Sequence, residues 1–216
     1  MARSNPFITI IVILVLLAGL GFLFMRSLRD DRARPYTVAR EQLKNWTVVI
    51  RPASRPADPM LALRPPPDLV PSIFSQVFAR AMETLRSPSE SAMALLLKGE
   101  FDGALNGHVT PDQLVAAARD AGLESVELRP RCLIHKYISE PHDIRQLFVV
   151  LFEAPEFNRF REQIARLRPD AAASAGYDPR ALSPALFIAA SDAAFSRWQP
   201  FRADPDTDCV APVVVG

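Results

Sequence analysis

The order of elements along the chain predicts an α+β fold: an N-terminal transmembrane helix, then a ferredoxin-like (split βαβ) antiparallel sheet with extra helices in the first crossover. Three observations carry this expectation. Residues 7–25 contain no charged side chain. Residues 146–152 are apolar at both parities, as a central strand covered on both faces would be. The remaining segments alternate between helical and strand periodicity in the order strand, helices, strand, strand, helix, strand.

The apolar run 7–25 has the length of a bilayer span, about 28 Å at 1.5 Å per residue. It is longer than a signal-peptide core and ends in Phe-Leu-Phe-Met-Arg without a small-x-small cleavage site. The expectation is an uncleaved, single-pass signal anchor with the bilayer as its partner, after a short tail at 1–6. Arg26, Arg29, Arg32 and Arg34 on the far flank argue for a cytoplasmic body. The six-residue leading tail argues for an exported one, periplasmic or at the cell surface, and the reading favours export. Residues 26–45 form a charged juxtamembrane segment.

Residues 46–50 (Trp-Thr-Val-Val-Ile) read as the first strand of a domain spanning 46–190. Residues 52–71 carry seven prolines, so they read as a stiff, extended connector. Val70, Ile73, Phe74, Val77, Phe78, Ala81, Met82 and Leu85 then recur at helical spacing. Ser87-Pro88-Ser89-Glu90 looks like a helix start with a capping box, opening a helix through Leu97 that is apolar nearly all round. Thr110-Pro111-Asp112-Gln113 repeats that signal, and its helix runs to Gly122.

Val126, Leu128, Cys132, Ile134 and Ile138 alternate with polar residues, so a strand follows. Pro130 confines it to a sheet edge or breaks it with a bulge. Residues 140–143 form the turn into the doubly apolar strand. Pro155 and Glu156 start a helix with Phe157, Phe160, Ile164 and Leu167 on one side, and residues 185–190 read as the last strand. Residues 191–216 read as a C-terminal tail.

Composition removes several functions. With 25 Lys+Arg against 24 Asp+Glu, the net charge of +1 lacks the basic footprint of a nucleic-acid binder. Two cysteines cannot build a disulfide scaffold or a four-cysteine zinc site. Cys132-x-x-His135 with His142 resembles a metal site, but Cys132 and His135 have opposite parity on a strand. The segment Asp204-Pro205-Asp206-Thr207-Asp208 resembles the start of a calcium loop, yet the required Gly and Glu are replaced by Cys209 and Val215. No metal or cofactor is expected. Gly99, Gly103 and Gly107 read as a helix end and loop, because Glu100 and Asp102 intervene. Asn45-Trp46-Thr47 is an acceptor sequon at a strand start. No nucleophile elbow, phosphate loop, dinucleotide fingerprint or zinc-protease motif is present.

Cys132 and Cys209 are candidates for a disulfide closing a loop of about 75 residues, with unpaired thiols as the alternative. The favoured function is an interaction or assembly module of the cell envelope. Its partner face is one row of the central strand, Leu147/Val149/Leu151 or Phe148/Val150/Phe152, covered by the chain itself, by a second copy or by an envelope protein. The alternative is an anchored hydrolase with a dispersed site of His108, His135, His142 and Asp143.

Overall fold

The computed structural model describes residues 13, 15–22, 34–81, 83–140, 143–167, 177–192 and 202–216. The chain divides into two units, 1–34 and 35–216. In the first, residues 13 and 15–22 are helical, and the rest of the apolar run 7–25 lies outside the described residues. Among the described residues no helix is long and apolar enough to cross a membrane. This corrects the transmembrane helix, and with it the single-pass signal anchor and the membrane localisation built on it.

The second unit is a mixed α+β domain with two sheets. Its strands are β1 (Tyr36–Val38), β2 (Thr47–Ile50), β3 (Pro59–Arg64), β4 (Met93–Leu97), β5 (Arg129–Glu140), β6 (Asp143–Glu153), β7 (Ala185–Ala190) and β8 (Cys209–Val215). Its main helices are α1 (Leu69–Arg80), α2 (Pro111–Asp120) and α3 (Pro155–Leu167). The larger sheet has the order β1-β8-β5-β6-β7 and the smaller one β2-β3-β4. Only β1 and β8 pair in parallel. The expected ferredoxin-like sheet is therefore corrected. That topology needs the first strand beside the third, whereas β2 joins a separate sheet with β3 and β4.

Two segments drive this difference. Within the proline-rich stretch, Pro59–Arg64 form β3, held in its hairpin with β2 by the turn before it. The Asp58 carboxylate accepts from Arg55 N at 2.9 Å and from Arg55 Nη2 at 2.7 Å. These bonds hold its carboxyl well below the usual carboxylate range. The expected helix after Ser87-Pro88 is instead β4, in which Met93, Ala94, Leu95 and Leu96 are all buried. A five-residue run that is apolar on every side suits a strand buried on both faces as well as a helix, and it is too short for a stable helix. Gly99, in the helical turn that follows this strand, packs tightly against Pro56. A Cβ there would lie 3.0 Å from Pro56 Cβ and 3.1 Å from Pro56 O, while Gly99 N donates to Pro56 O at 2.8 Å.

Local signals succeed where capping chemistry is complete. Thr110 Oγ1 accepts from Gln113 N at 3.3 Å, and Thr110 N donates to Gln113 Oε1 at 2.8 Å, which satisfies two free donors of α2. Past its end, Gly122 takes a left-handed φ of 86°. In α1, Val70, Ile73 and Val77 are buried while Phe78 stays half exposed; Met82 lies outside the described residues. In α3, Phe157, Phe160 and Ile164 are buried, but Leu167 is exposed at the frayed last turn.

The Pro130 strand, β5, lies between β8 and β6 and is not an edge. The register with β6 shifts between Pro130 and Cys132, and β8 pairs only from Cys132 onward. The missing N–H of Pro130 thus faces no strand in β8. One core joins the two sheets, with Leu61, Leu63, Met93 and Leu95 of the smaller sheet clustered with Leu133, Val150 and Phe152 of the larger. Trp46 packs edge-on against Phe152 at 5.5 Å between centroids, and its Nε1 donates to Leu43 O at 3.0 Å.

Replacing Gly99 by Ala should cost about 1–3 kcal/mol of stability through overpacking against Pro56. Urea unfolding followed by tryptophan fluorescence should show a lower midpoint with an unchanged slope.

Candidate functional site

The six residues expected on a partner face are all buried. Phe148, Val150 and Phe152 enter the main core, while Leu147, Val149 and Leu151 form a second cluster with Cys132, Ile134 and Ala190. Ala203 and Cys209 pack onto that second face. Neither row offers apolar surface to a partner.

Cys132 and Cys209 are joined by a disulfide. It closes a 77-residue separation, worth roughly 4 kcal/mol in the chain-entropy account. The acidic segment before Cys209 serves local structure. Asp204 Oδ1 accepts from Asp206 N at 3.0 Å, and Asp208 Oδ1 pairs with Lys136 Nζ at 2.6 Å. The Lys136 ammonium and the Asp204 amide hold the Asp208 carboxyl below its ordinary range. Among the described residues, no three of His, Cys, Asp and Glu are grouped to hold a metal ion.

Among the described residues, His108 and His135 have separate surroundings. His108 lies in the turn before α2 and lines a shallow cleft with Gln113, Asp120 and Gln163. His142 lies outside the described residues, and Asp143 opens β6. His135 sits on the helix-covered face of β5, stacked on Phe148 at 4.1 Å and against Tyr137 at 4.2 Å. Its Nε2 meets Gln146 Oε1 at 2.7 Å, while Gln146 Nε2 donates to Glu83 Oε2. Because Gln146 turns its amide nitrogen to Glu83, its oxygen faces the ring, so His135 Nε2 carries the hydrogen. Burial pushes the His135 pKa down, against the opposing pull of Gln146 and Glu83. The chain Glu83–Gln146–His135 closes the polar end of an otherwise apolar sheet face.

A second polar network lies deeper. Arg161 is fully buried on α3, and all five of its guanidinium hydrogens have acceptors. Nε donates to Pro179 O at 2.8 Å. Nη1 donates to Leu95 O at 3.0 Å and to Glu100 Oε2 at 3.2 Å. Nη2 donates to Glu100 Oε1 at 2.6 Å and to Asp178 O at 2.7 Å. Tyr177 lies beneath, with Arg161 Cζ 5.0 Å from its ring centroid and its hydroxyl donating to Arg161 O at 3.1 Å. Burial raises the Tyr177 pKa above its ordinary value, so this donor stays protonated.

Arg161 thereby anchors residues 177–179, the start of one wall of a cleft of about 550 Å³. Leu151, Phe152, Ala154 and Leu182 lie at its base and are buried, so they expose little apolar surface to it. Four prolines stiffen its sides: Pro155, Pro179, Pro184 and Pro205. Phe152 N donates to Pro184 O at 2.9 Å, and Ala203 N donates to Ser183 Oγ at 2.8 Å, so the walls are tied together at the base. Arg131, Arg180 and Arg202 line it, with Glu153 and Glu162. These arginines come from three distant segments, and no spacing in the sequence connects them. The available signal was compositional: 22 arginines against three lysines.

The free strand edges are also occupied. The Gln76 side-chain amide accepts from Thr37 N at 2.9 Å and donates to Thr37 O at 2.7 Å, standing in for a neighbouring strand on β1. Glu124 Oε1 takes Val48 N of β2 at 2.8 Å, and Arg161 takes Leu95 O of β4. On β7, Arg86 exchanges both backbone hydrogen bonds with Ala190, and Ser91 Oγ donates to Phe187 O at 2.6 Å.

Comparison with protein-family models, with curated proteins and with solved structures finds no match to the chain.

Replacing Arg161 by Met should destabilise the fold by about 3–5 kcal/mol, because Glu100 would be left without its buried partner. Adding Glu100→Gln should recover part of that loss in chemical denaturation. The lowered His135 pKa sets a pH dependence with a definite sign. Below about pH 6.5 the unfolded chain takes up the proton before the folded one, so stability falls as pH falls through that window. His135→Gln should flatten the fall by up to about 1.4 kcal/mol per pH unit between pH 6.5 and 5, measured as the difference between the two proteins' urea stabilities.

Proposed function

We propose that residues 35–216 act as a binding module whose work is ligand capture rather than bond breaking. The observation that carries this reading is the preorganised cleft beside α3. Its walls are proline-rich and hydrogen-bonded to each other, and its rim carries three guanidiniums. A rigid, preformed site loses little conformational entropy on binding.

The geometry supports no comparable reading as a hydrolase. Neither His108 nor His135 lines this cleft, and the cleft that His108 lines does not include His135. The cleft's carboxylates, Glu153 and Glu162, are exposed to water, and Glu162 lies 3.9 Å from Arg166. A general acid or base needs a neighbour that orients it and an environment that excludes water, and neither accompanies this pair. Partner binding by strand addition is also disfavoured, because intramolecular groups take the edge amides and carbonyls named above.

Purified protein should give no turnover above buffer with chromogenic esters, phosphomonoesters and glycosides. Turnover that disappears in Glu153→Gln or Glu162→Gln would overturn the binding-module reading.

A further inference from the structure

The ligand class follows from how the charges around the cleft pair off. Two of the five are already engaged: Arg131 lies 3.5 Å from Asp206, and Glu162 faces Arg166. Arg180 and Arg202 have no hydrogen bond, ion pair or ring contact through their side chains among the described residues. They stand against the single remaining carboxylate, Glu153. The rim therefore keeps an excess of donors with no acceptor of its own, beside the accessible rings of Pro155, Pro179, Pro184 and Pro205.

Each of the two arginines is held at the base of its segment. The Arg180 amide donates to Asp178 Oδ1 at 2.8 Å, in the turn that Arg161 grips through the Asp178 and Pro179 carbonyls. Arg202 precedes Ala203, whose amide is bound by Ser183, and the short helix Pro205–Asp208 beyond it is tied to β5 by the Cys132–Cys209 disulfide. The guanidiniums are thus mounted on fixed backbone from opposite walls. A planar fork of donors suits carboxylate and phosphate oxygens, which accept two parallel hydrogen bonds.

We propose that this cleft binds an organic anion, a carboxylate or phosphate head on a small apolar body, with Arg180 and Arg202 receiving the head and the accessible rings of Pro155, Pro179, Pro184 and Pro205 receiving the body. The proposal rests on the binding-module reading and adds to it the chemistry of the ligand.

The test is a set of NMR titrations of the full chain, oxidised, with hexanoate, hexyl phosphate, hexanamide and inorganic phosphate. Saturable shifts are expected at the amides of residues 153–158, 180–183 and 202–204 with hexanoate or hexyl phosphate, and the stronger of the two identifies the head group. Hexanamide and inorganic phosphate should each bind at least tenfold more weakly, the first for want of charge and the second for want of an apolar body. The Arg180→Gln/Arg202→Gln double variant should lose at least tenfold in affinity for the better anion. Arg40→Gln, an exposed arginine outside the cleft lining and paired with Glu127, should lose little, and matched amide spectra would show that both variants are folded. Equal binding of hexanoate and hexanamide, no saturable binding of either hexyl anion, or unchanged affinity in the double variant would overturn the proposal and leave the binding-module reading standing. Hydrolysis of hexyl phosphate during the titration would overturn that reading, while the affinities would still decide the anion site.

Discussion

The domain depends on one buried cation. Arg161 is withdrawn from water on α3, and desolvating a guanidinium costs several kcal/mol unless every donor is matched. Here every donor is matched, by the Glu100 carboxylate and by three backbone carbonyls. Those acceptors belong to residues 95–100, in β4 and the turn directly after it, and to residues 178–179, so a single side chain on α3 fixes two segments that are remote in sequence. Glu100 itself is held in place, because its Oε2 accepts from Leu97 N at 2.9 Å. The carbonyl of Leu95 that would otherwise lie open on the edge of β4 is used in the same network.

From that anchor the rest of the architecture can be followed outward. Residues 177–184 become a rigid wall because Arg161 holds one end and Phe152 N holds Pro184 O at the other. The opposite wall, at 202–205, is secured through Ser183, Lys136–Asp208 and the disulfide. Both faces of β6 are buried, and the edges of the two sheets meet side chains of the same chain. Sheet edges left open invite pairing with other chains, and Gln76 and Glu124 close them here with single residues.

Legibility in the sequence followed the range of the interaction. Thr110 and Gln113 are three residues apart, so the start of α2 can be read directly from their types. The doubly apolar row 147–152 announced a central strand because burial on both faces excludes polar residues from either parity. The segments at 59–64 and 93–97 misled, since prolines and a capping-like Ser-Pro-Ser-Glu are local signals that sheet pairing overrode. The terminal Cys209–Val215 strand was read as tail because Pro212 interrupts it and alternate residues stay exposed. It becomes a strand by lying between β1 and β5, with Tyr36 opposite Val213 and Cys132 opposite Pro212. The cleft arginines were invisible for the same reason, because no short-range pattern links 131, 180 and 202.

By itself the sequence determined the α+β class, the helices α1, α2 and α3, the central position of β6, and the near-zero net charge. Each of these follows from periodicity, capping or net charge, which act within a few residues or over the whole composition. Only the tertiary structure decided that there are two sheets, that the central strand is covered on both faces, that Arg161 is the buried centre of the domain, and that three arginines share one cleft. Those outcomes turn on which distant segments pack together, and side chains such as Arg161 and Gln76 take their roles from the backbone groups that packing brings to them.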